Sequence, residues 1–319
     1  MNPTDKRTGL ISNPRSGHNR DQFQALRHRV AASTVAHEIT ESAGDVPAAL
    51  ARLAAAGCSV LGINGGDGTA SAILGTLLEQ DLFSELPDIV ILPGGTANMN
   101  AGDVGMRGGL GAALSRFCDY ADRDLWSRAQ RQQRPLMRVV TPDGQVQHGM
   151  FLGAGAVISG TNYAHENIHA RGLRDDFSLA LGTLRTIWGV VRNEPGFSGH
   201  QSVRVTLDGG AAESHDTLVL AISTLNRLAF GMKPFWGHGP GALRMTLMRA
   251  GCSRFAPTFV RIAMGKPGRN AVPEQGYFSQ NADEIQLELE GEINLDGEIL
   301  AVTGVLSITA TTPVSFLRP

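Results

Sequence analysis

The chain has 319 residues, of which 42% are hydrophobic and 18% charged, and its formal net charge is −2. That length supports two domains with sizeable cores, and that composition excludes disordered, collagen-like and membrane-spanning classes. The near-neutral balance excludes a global attraction to nucleic acid, so none is expected as a partner, while leaving room for a local basic face.

The first apolar run, Leu10-Ile11, predicts a strand entering a turn at Asn13-Pro14-Arg15-Ser16-Gly17. A polar helix over Arg20–Ala32 and a strand over Val35–Ile39 follow. Asp45-Val46-Pro47 then opens a helix that Gly57 stops. Ser59–Ile63 is the next strand, Gly65-Gly66-Asp67-Gly68 the turn after it, and Thr69–Glu79 a helix with Ile73, Leu74, Leu77 and Leu78 on one stripe. Asp88–Leu92 is a further strand, ending in Pro93-Gly94-Gly95-Thr96. Strands alternating with helices, with glycine turns at strand ends, give a parallel α/β sheet.

After an arginine-rich helical stretch around Tyr120–Arg134 the pattern changes to short strands: Leu136–Thr141, Val146–Ala154, Val203–Leu207, Leu218–Ser223, Leu243–Met248, Glu284–Leu289, Ile293–Leu295, Ile299–Val302 and Val305–Thr309. Such spacing predicts an antiparallel second domain, a β-sandwich, interrupted by one apolar helix over Phe177–Val191. The expected division is an α/β domain over 1–130, a strand-rich domain over 131–310 and a tail over 311–319.

Only Lys6, Lys233 and Lys266 are lysines, and none stands in a glycine loop, which excludes the P-loop and protein-kinase patterns. Cys58, Cys118 and Cys252 are scattered and odd in number, which reads as three reduced thiols of a cytoplasmic protein. The opening MNPTDKRTGLISN holds no apolar stretch of signal-peptide length.

Two glycine turns at the carboxyl ends of strands in one parallel sheet should face one crevice. Without a Cβ, Gly65, Gly66, Gly68, Gly94 and Gly95 let backbone N–H groups approach phosphate oxygens, and Thr69 opens a helix whose dipole favours an anion. Asp67 would repel a phosphate unless a cation or a proton lies between them, so it implies metal, general-base work or hydrogen bonding within the turn. A plain turn is the simplest reading of Gly-Asp-Gly taken alone.

Three segments in order, Asn13-Pro14-Arg15-Ser16-Gly17, Gly65-Gly66-Asp67-Gly68-Thr69 and Pro93-Gly94-Gly95-Thr96-Ala97-Asn98, resemble the nucleotide-binding motifs of the diacylglycerol kinase catalytic-domain family, which includes sphingosine kinases and bacterial lipid kinases. Asn294-Leu295-Asp296-Gly297-Glu298 is similar to its C-terminal Asp-Gly-Glu motif, and Phe151–Gly155 to its small-residue strand. The resemblance implies an NAD-kinase-like α/β domain followed by a β-sandwich, with ATP as phosphoryl donor, Mg²⁺ accompanying it, and a C-terminal tail, Thr311–Pro319, that returns to the first domain. It also implies that Asn13, Arg15, Ser16, Gly65, Gly66, Asp67, Gly68, Thr69, Gly95, Thr96 and Asn98 contact or shape the ATP site. By the same carry-over Asp67 organises ATP and Mg²⁺, and Asp296, with Glu298 beside it, is the base toward a lipid hydroxyl. Read from the residues alone, Asp296-Gly297 is a hairpin turn.

The sequence departs from the family in two places. Asn98-Met99-Asn100 stands where many relatives have Asn-Asp-Phe, and no acid lies between Asp216 and Glu274, where some relatives support a structural Mg²⁺. On the substrate side, the Phe177–Val191 stripe reads as core or as a wall of an acyl-chain cleft. The stretch Arg249–Arg269 mixes cations with Phe255, Phe259, Ile262 and Met264, as a solvated helix face does, and would also suit anionic headgroups at a peripheral membrane surface. His165 and His169 stand four residues apart without other signs of a metal pair. The expected activity is transfer of the ATP γ-phosphoryl group to diacylglycerol or a related lipid alcohol, such as a sphingoid base or ceramide. The alternatives are a kinase of a soluble metabolite such as NAD and a nucleotide- or lipid-binding regulator without catalysis.

Overall fold

The computed structural model describes residues 7–158 and 201–319. In chain order the first elements are β1 (Arg7–Ser12), α1 (Asn19–Ala31), β2 (Ala36–Ile39), α2 (Val46–Ala55), β3 (Cys58–Gly65), α3 (Asp67–Glu79), β4 (Asp88–Pro93), α4 (Met99–Asp103), α5 (Leu110–Asp122) and β5 (Gln130–Arg134). Strands β6 (Met137–Val140), β7 (Val146–Gly149), β8 (Phe151–Gly155), β9 (Gln201–Leu207), β10 (Glu213–Ser223) and β11 (Leu243–Arg249) follow. The chain continues with α6 (Phe255–Ala263), β12 (Tyr277–Ala282), β13 (Glu284–Leu295), β14 (Glu298–Ala310) and β15 (Val314–Arg318). It divides into two compact units, one running to Arg134 and including Pro313–Pro319, the other Pro135–Thr312.

The first unit is a six-stranded sheet in the order β2-β1-β3-β4-β15-β5. Strands β1 to β4 pair in parallel, β15 joins β4 in parallel, and β5 closes the edge antiparallel to β15. All six residues of β4 are buried, as is nearly all of β3, which is why both read as unbroken apolar runs instead of alternating ones. One core cluster gathers Leu10, Val60, Val90, Leu92, Leu114, Phe117, Trp126 and Leu317. The C-terminal segment supplies Phe316 and Leu317, both fully or almost fully buried, so the last strand is part of this core. Arg131 forms an ion pair with Asp88 at the start of β4, and Arg318 donates to the Gly105 carbonyl at 2.7 Å.

The stretch expected as one helix over Tyr120–Arg134 is corrected. Helix α5 ends at Asp122, and Gln130–Arg134 is strand β5, hydrogen-bonded to β15. Gln and Arg are good helix formers, but pairing with a strand some 180 residues away overrides that local preference.

The second unit holds a nine-stranded sheet, eight strands on the path β12-β11-β10-β8-β13-β14-β6-β7 and β9 off it, paired to β10 and β13. Both β8 and β9 are antiparallel to β10 and β13, so the two short strands lie end to end in one slot between the two long ones. One core cluster draws Met137 and Val139 from β6, Leu243, Met245 and Leu247 from β11, and Ile285, Leu287 and Ile293 from β13, and a second gathers Leu218, Met248, Ile262 and Tyr277. The strands expected separately at Glu284–Leu289 and Ile293–Leu295 are one strand, as are Ile299–Val302 and Val305–Thr309, whereas Val146–Ala154 is divided at Met150. The apolar helix expected over Phe177–Val191, and His165 and His169, lie outside the described residues. Among the described residues no helix is long and apolar enough to cross a membrane.

Candidate functional site: a three-loop cradle and two pinned carboxylates

The parallel register places the carboxyl ends of three neighbouring strands side by side: Ser12 pairs with Asn64, and Gly65 with Pro93. Each end carries one of the glycine-containing turns, and the turns are bonded to one another. The Asn13 N–H donates to the Asn64 carbonyl at 2.9 Å, and the His18 N–H to the Gly94 carbonyl at 3.1 Å. Asn13 Nδ2 donates to Thr69 Oγ1 at 3.1 Å, Ser16 Oγ lies 3.4 Å from the same hydroxyl, and Ser16 Oγ accepts the Gly66 N–H at 3.2 Å. Within the third loop, Asn98 adopts φ +48° and its amide clasps the Gly95 backbone, accepting from N–H and donating to C=O, both at 2.8 Å.

The glycines are required first by this packing. A Cβ on Gly95 would stand 2.5 Å from Gly66 Cα, one on Gly65 2.6 Å from Thr69 Cβ, and one on Gly17 2.6 Å from Thr96 Oγ1. Gly66 differs, because a Cβ there would find Gly95 Cα at an ordinary 3.6 Å and nothing else within 4 Å. The backbone at the N-terminus of α3, which begins at Asp67 and includes Gly68 and Thr69 in its first turn, therefore borders open space. Arg15 stands at the rim, its N–H on Asn13 Oδ1 and its guanidinium paired with Glu41 at 3.0 Å on the exposed surface. A pair so exposed contributes at most about 1 kcal/mol and is easily given up.

Asp67 is buried, and both carboxylate oxygens accept backbone N–H groups at the start of α4, Asn100 N–H at 2.9 Å and Met99 N–H at 3.1 Å. Burial raises the Asp67 pKa above the ordinary carboxylate value, and the two N–H groups oppose that shift. The carboxylate thus staples the second loop to the third, the hydrogen-bonding alternative among its three sequence readings. Beneath the loops, Asn19 Oδ1, Asn64 Oδ1 and both ends of the Asn100 amide are buried without a partner among the described residues. Buried polar atoms in native structures are nearly always satisfied, so this cluster suits water or a polar ligand.

The second unit repeats the device. Asp296 and Gly297, with φ +48° and +96°, form the two-residue turn between β13 and β14. Positive φ at both positions is what a type I′ hairpin requires, and Asp-Gly is a favoured pair for it. The Asp296 carboxylate accepts the Met150 N–H at 2.8 Å and the Phe151 N–H at 2.9 Å, and its own N–H donates to the Phe151 carbonyl. Asp296 is therefore both a turn residue and a buried, oriented carboxylate, whereas Glu298 is exposed. Sequence reasoning missed a cavity of ≈ 370 Å³ in this unit, lined by Val205, Glu213, His215, Leu247 and Phe278. His215 Nε2 lies 3.5 Å from Glu213 Oε2, and its Nδ1 is buried without a partner among the described residues. Two polar residues alternating on a strand face, Glu213 and His215, were the available signal.

For a resident cation the fit is poor. Asp67 spends both oxygens on backbone N–H groups, and no group of three or more His, Cys, Asp or Glu side chains able to hold a metal occurs among the described residues. For a nucleotide the fit is better, because N–H groups, hydroxyls and amides converge at a helix N-terminus beside open backbone.

The fold and loops define an NAD-kinase-like parallel α/β unit joined to an antiparallel strand-rich unit. Residues 7–125 match the family model of the diacylglycerol kinase catalytic domain, which bears out the resemblance read from the motifs. No curated protein matches the chain. Among solved structures, a candidate diacylglycerol kinase from Bacillus anthracis str. Sterne is similar with a TM-score of 0.70 and 18% identity, over 100% of this chain and 99% of that one. A second structure of a diacylglycerol kinase from that organism gives 0.63 and 17%, over 98% and 97%. Yeast NADH kinase complexed with NADH gives 0.50 and 10%, over 99% and 84%.

Proposed function

We propose that this protein is an ATP-dependent lipid kinase that phosphorylates a hydroxyl of diacylglycerol or a related lipid alcohol. The observation that carries the reading is the three-loop cradle. Ser16, Gly66, Thr69 and Gly95 meet through their own hydrogen bonds and backbone contacts, next to the α3 N-terminus, in the same order as the family's nucleotide motifs. Oriented N–H groups and a helix dipole stabilise phosphate charge without a lysine, consistent with the lysine-poor sequence.

In this reading the acceptor oxygen forms a bond to the γ-phosphorus, the bond from that phosphorus to the β–γ bridging oxygen breaks, and ADP leaves. The hydroxyl proton passes to Asp296, whose carboxylate is held in orientation by its two backbone N–H partners. Asp67 positions the third loop. Mg²⁺ is expected to enter with the nucleotide's phosphates, which neutralise it, since the described residues build no cage of their own.

One observation favours a second reading, a nucleotide-binding regulator without catalysis: both candidate carboxylates are engaged by backbone N–H groups. Labelled ATP and a panel of lipid alcohols separate the two. Transfer of label to a lipid supports the kinase, and tight ATP binding without transfer to any lipid supports the regulator.

A further inference from the structure

Between Thr217 and Pro273 the sequence carries eight Lys and Arg and no Asp or Glu, in a protein whose net charge is −2. Within this stretch the loop Leu228–Met232 and helix α6 meet: the Lys233 N–H donates to the Ala263 carbonyl at 2.9 Å, and a Cβ on Gly265 would stand 3.1 Å from Lys233 Cβ. One face of α6 is committed to the second unit, with Thr258 and Ile262 buried and Phe255 stacked near Phe259 at 5.5 Å. The other face shows Val260 and Met264 to solvent at 45% and 58% exposure, and the loop shows Phe230 at 46%. These are three of the seven large hydrophobic side chains most exposed among the described residues.

Phe230 holds φ +57° in a turn where glycine would be relaxed. A bulky side chain in that conformation is uncommon and strained, and such strain persists where a side chain is needed in place. The same stretch carries Arg227, Lys233, Arg254, Arg261, Lys266 and Arg269, all exposed and none in an ion pair with the described residues, with Lys233 at the contact between loop and helix. Exposed apolar side chains in a stretch of exposed cations without acids match the interface of an anionic bilayer, where the apolar groups enter the acyl boundary and the cations meet the headgroups.

We infer that the edge formed by the Leu228–Met232 loop and the C-terminal half of α6 is a membrane-docking surface for anionic lipid. This goes beyond the proposed reaction and does not need it. Binding of the full chain to vesicles of phosphatidylglycerol and phosphatidylcholine in equal parts, without ATP, is compared with binding to phosphatidylcholine alone. Preferential sedimentation with the anionic vesicles is expected, weakening as salt is raised. The triple variant Lys233→Gln, Arg261→Gln, Lys266→Gln should lower affinity about a hundredfold, as three cations at an anionic surface require. Phe230→Ser with Met264→Ser should lower the binding that survives high salt.

Charge-conserving replacement by Lys233→Arg and Lys266→Arg should keep affinity, which separates lost charge from damaged folding. Equal binding to both vesicle types, no binding, an unchanged triple variant, or tighter binding to a soluble polyanion such as heparin at the same salt would each overturn the inference. Phosphoryl transfer measured in detergent micelles reports on the proposed function separately.

Discussion

Replacing Gly95 by alanine tests whether the cradle is held by backbone-to-backbone contact. The new Cβ would stand 2.5 Å from Gly66 Cα and 3.2 Å from Asn98 Oδ1. Carbon atoms in contact sit about 3.5–4.0 Å apart, so the second and third loops must separate by about 1 Å. The closer of the two, at 2.5 Å, is a backbone atom, so no flexible side chain can swing aside to relieve that clash. Overpacking of this kind costs about 1–3 kcal/mol, a fall in melting temperature on the order of 5 °C for a unit of this size.

Gly66→Ser is the matched control. Its Cβ meets Gly95 Cα at an ordinary 3.6 Å and nothing else within 4 Å, and serine is a good N-cap for α3. Melting should stay within about 2 °C of the parent, because no contact is violated. The side chain nevertheless fills the space where a phosphate would approach the helix N-terminus, so ATP affinity measured by calorimetry should fall at least about tenfold. Parent-like melting of Gly95→Ala would refute the packing argument. Parent-like ATP affinity of Gly66→Ser would refute the location of the phosphate site.

Asp296→Asn should abolish transfer to lipid while ATP still binds, and retained transfer in the radiolabel assay would remove Asp296 from the role of base. Asp296→Ala also leaves the Met150 and Phe151 N–H groups unpaired at a buried turn, at about 1–3 kcal/mol for each, to be read as a lowered urea midpoint. Phe316→Ala empties a fully buried site beneath β15 and should destabilise the first unit by about 3–5 kcal/mol, slowing no exchange but opening β4 and β5 amides to hydrogen exchange. The pKa values of His37 and His215 are lowered from 6.5, chiefly by burial, with Arg27 and Arg249 respectively adding to the shift. Because the unfolded chain takes up these protons first as pH falls, their contribution is complete above the ordinary value and declines below it. The urea midpoint should therefore be lower at about pH 5.5 than at about pH 7.5, and the double variant His37→Asn, His215→Asn should shrink that difference.

Much of the first unit was legible because its central strands β1, β3 and β4 are buried on both faces and its turns are marked by glycine. Asp88–Leu92 has no polar interruption inside it, and α1 was placed within a residue of its observed ends. Helix α5 was missed although Leu110, Ala113, Leu114, Phe117 and Cys118 repeat at helical spacing and are all buried. Strand β12, Tyr277–Ala282, was missed because Ser, Gln and Asn dilute its alternation. At the site, motif order identified the loops, but their internal logic depends on contacts far apart in sequence. Nothing local to Asp67 says that its partners are the N–H groups of Met99 and Asn100, or that Gly95 must lack a Cβ because Gly66 lies against it. The basic, apolar stretch was legible as composition. Which of its residues reach solvent was decided only by how α6 packs.

The most direct test of the central claim is phosphoryl transfer itself. Purified protein, γ-labelled ATP and Mg²⁺ are incubated with diacylglycerol, a sphingoid base and ceramide in detergent micelles, with NAD as the soluble competitor, and the products are separated by chromatography. Label on a lipid hydroxyl, absent from NAD and lost in Asp296→Asn, is the expected result. Label on NAD alone, or ATP binding with no labelled lipid at all, would contradict the lipid-kinase reading.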